Sequence, residues 1–167
     1  TAAGSITNSL FKWAIFGILG SVSAMFDNAT NTSTSSSNTI KLSTLLAASI
    51  IEVSNIRIAN ADNLIFAVPA LPNTSYTATF LMKTVVKSGS AISGAHATFT
   101  ERTAAGTFVK DNFSTLVAAT SDWNKYSVIF TTSATTRYIT PKLRVIGNDG
   151  AATLIMDAWF DDITLTL

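Results

Sequence analysis

Apolar residues recur at every second position in short runs along this chain, and each run is bounded by Gly, Pro, Asn, Asp or Ser. The clearest run covers residues 76–86, where Tyr76, Ala78, Phe80 and Met82 fall on one side and Thr77, Thr79 and Lys83 on the other. A period of two turns one row of side chains toward a core and the other toward water, so this run predicts a half-buried β-strand. The same reading predicts strands over residues 39–43, 50–58, 64–68, 95–101, 126–132, 142–146 and 152–167. Short strands at fairly regular spacing, with turn residues between them, predict an all-β sandwich or barrel.

The connections carry their own signals. Pro69 and Pro72 bracket a loop leading into the strand that begins near Tyr76, and Asn148-Asp149-Gly150 predicts a hairpin because these residues tolerate positive φ. Residues 28–38 are almost all Asn, Thr and Ser, which predicts an exposed loop, and residues 43–48 have room for one helical turn. Residues 13–26 are apolar but interrupted by Gly17, Gly20, Ser21 and Ser23, and too short to span a bilayer as a helix. They are read as a buried first strand and turn, the alternative being a targeting segment. No internal repeat or change of composition marks a second domain, so residues 1–167 form a single unit.

Composition narrows the chemistry. The chain has 167 residues, 47% hydrophobic and 13% charged, a balance that supports a folded core rather than disorder. Its formal charge of +1 leaves no excess of cations to hold a polyanion, which argues against nonspecific nucleic-acid binding. There is no Cys, and His96 is the only histidine, so thiolate zinc sites, cysteine nucleophiles and multi-histidine metal sites are excluded. Glu occurs only at Glu52 and Glu101, while Ser and Thr make up about a quarter of the chain, as is common in extracellular adhesins and virus surface proteins. Glycosidase chemistry needs two carboxylates facing each other across a cleft, and Glu52, Glu101, Asp111 and Asp122 lie on separate elements with nothing to pair them. No phosphate-binding Gly-rich loop or metalloprotease spacing is present. The expectation is a protein that is not an enzyme.

Four segments, in order, resemble the carbohydrate-binding modules of families 4, 9 and 22, which are galactose-binding-like jelly rolls, and similar domains of phage tail fibres. Asn8-Ser9-Leu10-Phe11-Lys12-Trp13 is similar to their Asn-Gly-x-Phe-x-x-Trp opening. The run from Pro72 to Lys83 resembles their strand after a Gly- or Asn-containing turn. Ser121 to Phe130, with Trp123 and Tyr126, resembles their Thr-x-x-Trp-x-x-Tyr-x-x-x-Phe element. Ala158-Trp159-Phe160-Asp161-Asp162-Ile163-Thr164-Leu165 resembles their closing strand. The chain departs from the pattern in lacking the acidic residue often seen near the opening Phe. The resemblance implies a two-sheet antiparallel jelly roll with its first and last strands near each other. The expected core includes Phe11, Tyr76, Phe80, Phe99, Tyr126, Phe130, Ile163 and Leu165.

The resemblance also implies a non-catalytic module that recognises a poly- or oligosaccharide on a concave sheet face, as part of a secreted enzyme or a phage receptor-binding fibre. Its place would be extracellular or on a virion surface, without membrane insertion, and a fibre origin would make a homotrimer natural. The alternative is a structural or assembly domain with no glycan ligand. If Phe80, Phe99, Phe130 and Val145 point inward, alternation turns Thr79, Leu81, Lys83, His96, Thr98, Thr100, Ile129, Lys142 and Arg144 outward. From this set Lys83, His96 and Arg144 are the expected hydrogen-bonding residues of one ligand face, beside apolar Leu81 and Ile129. Tyr138 and Trp159 are the expected stacking residues. Asp161 shares the alternation of Ile163, Leu165 and Leu167 and should be buried, so its carboxylate needs a partner. By the resemblance that partner is a structural Ca²⁺, and the rival is a set of hydrogen-bond donors.

Overall fold

The structure, a computed structural model, describes residues 14–19, 22–27, 39–45, 50–54, 67–89, 94–147 and 154–167. Eleven strands occur among the described residues, all paired antiparallel, and no helix. One sheet has the order β1 (Ala14–Leu19), β4 (Ile50–Ser54), β10 (Tyr138–Ile146), β7 (Gly94–Arg102) and β8 (Phe108–Phe113). The short β5 (Val68–Pro69) also pairs with β10 and makes this sheet six-stranded. The second sheet has the order β2 (Val22–Asp27), β3 (Thr39–Thr44), β11 (Leu154–Thr166), β6 (Ser75–Gly89) and β9 (Ser121–Thr131). This is a two-sheet antiparallel β-sandwich, one of the two all-β forms the alternation predicts and the one the resemblance implies.

The core lies between the sheets. Alternate residues of β6 (Tyr76, Ala78, Phe80, Met82), β7 (Ala95, Ala97, Phe99), β10 (Ile139, Leu143, Val145) and β11 (Leu154, Met156, Ala158, Phe160) are fully buried in one cluster. Phe80 joins the layers: its ring lies 5.5 Å from Tyr126, 6.3 Å from Phe160 and 6.5 Å from Phe99 of the opposite sheet. Every expected core residue within the described chain is in this cluster or packed against it, and Phe11 lies outside the described residues.

Several local expectations need correction. Residues 13–26 hold two strands, and β1 and β2 belong to opposite sheets. β1 lies at the edge of the six-stranded sheet and β11 in the middle of the other. Residues 148–150 lie outside the described residues. The strands on either side, β10 and β11, belong to different sheets. Ser43 and Thr44 end β3, whereas residues 28–38 and 46–48 are outside the described residues. Strand β8, absent from the expectations, is an edge strand paired only with β7.

Two irregularities have clear causes. Pro141 has no N–H to donate. It sits where the partner of β10 on that side changes from β5, opposite Tyr138 and Ile139, to β4, opposite Lys142 to Ile146. In β11 the register shifts between Asp161 and Thr164, and Asp162 takes a positive φ of 47°. This bulge switches the alternation. Asp161 is opposite Leu81, while Ile163 and Leu165 turn into the core. Asp161 is buried as expected, but it does not share the side of Ile163 and Leu165, and Leu167 is 62% exposed rather than buried.

Candidate functional site

Strand alternation fixes which side of its own sheet a residue occupies but not which sheet the strand joins. Lys83, Leu81 and Ile129 lie on the outer face of the five-stranded sheet, and His96, Lys142 and Arg144 on the outer face of the six-stranded sheet. The expected single face containing Lys83, His96 and Arg144 is therefore corrected: these residues are on opposite sides of the sandwich. Lys83 pairs with Asp122 at 3.5 Å. Trp159 also belongs to the five-stranded sheet, is 7% exposed and is covered by the Lys41 ammonium 4.7 Å from its ring centre. Lys41 and Lys87 both pair with Asp157, at 3.0 and 2.7 Å. Burial raises the Asp157 carboxyl, but hydrogen bonds from Lys87, Ser43 and Lys41 outweigh it and hold its pKa below the usual range.

The six-stranded sheet gathers the rest. Ladder register places Arg144 opposite His96, Lys142 opposite Thr98, Thr140 opposite Thr100, and Tyr138 opposite Arg102. On the other flank of β7, Phe113 is opposite Thr98 and Asp111 opposite Thr100. Directly opposed residues share a face. His96, Tyr138 and Arg144 thus stand together on one surface with Thr98, Thr100, Asp111, Phe113 and Lys142. Along β7 this row runs from Arg102 to His96, about 20 Å at the rise of a strand.

The face has an unusual distribution of burial and bonding. All nine residues of β7 are buried, while Lys142 and Arg144 on one flank and Asp111 on the other are half-buried and Phe113 is 58% exposed. Thr100 donates to Asp111, and the Lys142 ammonium lies 3.4 Å from the same carboxylate. Other buried polar atoms on this face have no hydrogen-bond partner among the described residues: both ring nitrogens of His96, Oγ1 of Thr98 and Thr140, and Nε of Arg102. Buried polar groups are nearly always satisfied, so a row of unsatisfied ones marks where water or a polar ligand completes the bonding. At the His96 end a recess of about 270 Å³ is lined by His96, Phe113, Ser114, Leu116, Arg144 and Ile146. The Phe113 ring lies 6.0 Å from the imidazole. Burial, and then the Arg144 guanidinium, lower the His96 pKa to about 4 against a smaller opposing pull from Asp111. The imidazole is therefore neutral near pH 7, with one nitrogen donating and the other accepting.

Sequence reasoning missed Phe113 and Asp111 because it did not read β8 as a strand. The run from Phe108 to Phe113 carries apolar residues at both parities, and its burial shows no clean alternation, as befits an edge strand. Glu101, on the opposite side of β7 from this face, is fully buried. Burial would raise its pKa, but hydrogen bonds from Thr136, Asn112, the Ser133 N–H and Lys110 outweigh that and bring it below the ordinary value. Glu101 and Asp111 therefore point to opposite sides of one sheet, and Asp122 is on the other sheet. These three carboxylates are not arranged for paired acid–base chemistry. Asp161 accepts the N–H of Asp162 at 2.8 Å, and no cluster of three or more acidic or histidine side chains occurs among the described residues.

No protein-family model matches the chain, and neither does any curated protein. Among solved structures it is similar to the enzymatically active domain of tailspike protein 4 of bacteriophage CBA120, with TM-score 0.68 and 10% identity over 93% of this chain. The chain spans 19% of the length of that domain's chain. It is also similar to a xylan-binding domain of carbohydrate-binding module family 22, with TM-score 0.53 and 12% identity over 99% of this chain and 92% of that one. A cyclase from Fischerella sp. TAU bound to 4-(1H-indol-3-yl)butan-2-one is similar over 92% of this chain and 83% of its own, with TM-score 0.55 and 13% identity. At these identities the likeness establishes the fold. The chain has the jelly-roll fold found in carbohydrate-binding modules.

Proposed function

We propose that this domain is a non-catalytic carbohydrate-binding module whose glycan lies on the outer face of the six-stranded sheet. The observation that carries the reading is His96, 5% exposed with both ring nitrogens unpartnered among the described residues, beside Arg144 and the exposed Phe113 ring. A pyranose presents C–H faces that favour an aromatic surface and hydroxyls that need fixed donors and acceptors in place of water. Phe113 supplies the first, and the neutral imidazole, Arg144, Thr98 and Thr140 supply the second. Arg144 adds a planar fork able to grip two oxygens at once. Tyr138 stands at the far end of the row and extends the face. Lys83 and Trp159, on the opposite sheet, are left out of the proposed site.

The similarity to a tailspike and to a xylan-binding domain supports a place outside the cell or on a virion, within a larger protein. Where that protein is a fibre, the proposed assembly is a homotrimer. Asp161 is the proposed calcium ligand, a reading that rests on the resemblance of the closing strand and on its complete burial. Affinity electrophoresis on neutral and acidic polysaccharides tests the glycan reading. Retention of the native chain on at least one glycan, lost in Arg144→Ala with the fold intact, is expected. A folded chain retained on none would instead make this a structural or assembly domain.

A further inference from the structure

The residues that follow β8 form a second wall of the recess. Residues 114–118 run beside the start of β7: the Ser114 N–H donates to the Ala97 carbonyl at 2.9 Å, and the Ala97 N–H to Ser114 Oγ at 3.0 Å. Ala95 and Val117 exchange N–H to O=C bonds of 2.9 Å in both directions. This close seat exists because residue 94 is glycine. A β-carbon on Gly94 would fall 2.7 Å from the Val117 carbonyl carbon and 3.0 Å from the Ala118 nitrogen. Both are backbone atoms, which cannot swing aside as a side chain could. The strap's Leu116 is 40% exposed beside Phe113, and Ile146 lines the recess from β10, the strand on the other side of β7. The two flanking strands stand about 10 Å apart across β7. The recess is therefore open and rimmed by apolar side chains, Phe113 and Leu116 on one side and Ile146 on the other, with His96 and Arg144 also lining it. At about 270 Å³ it is smaller than the pockets that hold drug-sized ligands.

We infer that the strap of residues 114–118, seated on Gly94, is the specificity-determining wall of this site. It makes the recess a slot for one neutral pyranose inserted edge-on, with hydroxyls toward His96 and Arg144 and both C–H faces against apolar side chains. The inference rests on the glycan reading above and adds which part of the glycan is discriminated, namely a single ring, terminal or branching. Gly94 is a positioning residue in this scheme, because it acts only through the strap.

The test is an NMR titration of the intact chain, Gly94→Ala and Leu116→Ala with methyl β-glucoside, methyl β-galactoside and methyl β-xyloside, the last two each differing from the glucoside at one ring position, C4 and C5 respectively. Affinity electrophoresis on polysaccharides runs alongside. The native chain is expected to prefer one glycoside. Both variants should weaken that glycoside by about tenfold, the scale of a lost apolar contact in a pocket, and bring the three affinities together. A merely structural strap would weaken all three equally and keep their ratio. Leu116→Ala removes an exposed side chain, so it carries the test should Gly94→Ala fail to fold. Unchanged ratios in a folded variant, or polysaccharide retention with no response to any glycoside, overturn the strap inference and leave the glycan reading standing. No binding of either kind overturns both.

Discussion

Replacing His96 by leucine separates a binding residue from a structural one by the sign of its effect on stability. The imidazole is buried with both nitrogens unpartnered among the described residues. Leaving a buried polar group without protein partners costs about 1–3 kcal/mol, and water reaching the open recess offsets part of this. His96→Leu, apolar and similar in size, should therefore stabilise the free protein at pH 7 by about 1–2 kcal/mol, or roughly 5 °C in Tm. Acid enlarges the difference. The unfolded histidine takes up a proton near pH 6.5, whereas the folded one resists until about pH 4 because of burial and the Arg144 charge, opposed by Asp111. Between those values the unfolded state binds the extra proton, so native stability falls as pH is lowered from 6.5 to 4. The fall attributable to this group is about 3 kcal/mol and levels off below pH 4. His96→Leu lacks this component, and its lead over the native chain should widen by that amount. Thermal unfolding from pH 8 to pH 3.5, with glycan retention measured in parallel, reads both effects. A lower Tm for His96→Leu at pH 7 would mean that the ring has structural partners, and the argument for a ligand site at His96 would fail.

Other substitutions give distinct outcomes. Arg144→Ala should lose glycan retention with little change in Tm, whereas Trp159→Ala, opening a gap under Lys41 on the other sheet, should lower Tm and keep the affinity; the reverse pattern in affinity electrophoresis would move the site to the five-stranded sheet. Glu101→Gln should cost about 1–3 kcal/mol in chemical denaturation at pH 7, since it replaces a buried acceptor of hydrogen bonds from Thr136, Asn112 and the Ser133 N–H. Because its folded pKa is depressed, that stabilisation is present above the ordinary carboxylate range and lost as pH falls through the lower folded value. If Asp161 holds calcium, chelator should lower Tm and Asp161→Ala should remove the sensitivity; a melting curve unchanged by chelator makes Asp161 a hydrogen-bonded carboxylate. Phe113→Ala, at a ring more than half exposed, should weaken binding by about tenfold with Tm unchanged, as measured by titration calorimetry.

The sandwich was legible because alternation is a local property. Phe80, Phe99 and Val145 turn inward in three different strands by the same period of two. Which strands become neighbours is a long-range property, and the alternation of Lys83 and of His96 looks alike although they end on opposite faces. The closing strand shows a second limit. A single positive φ at Asp162 reverses the parity of every later residue, and an Asp-Asp pair does not announce that bulge. The site itself was half legible: His96, Tyr138 and Arg144 lie on regular strands, whereas Phe113 and Asp111 lie on an edge strand whose two faces are both partly wet. The strap was not legible at all, because its position depends on the missing β-carbon of Gly94, and a lone glycine reads equally well as a turn.

The most direct measurement is chemical-shift mapping of the ¹⁵N-labelled chain titrated with the glycan best retained in affinity electrophoresis. The account predicts that the largest changes fall on β7, β8 and β10, centred on His96, Phe113 and Arg144, with β6 and β9 unaffected. Changes centred on Lys83 and Ile129, or a folded chain that no glycan perturbs, would contradict it.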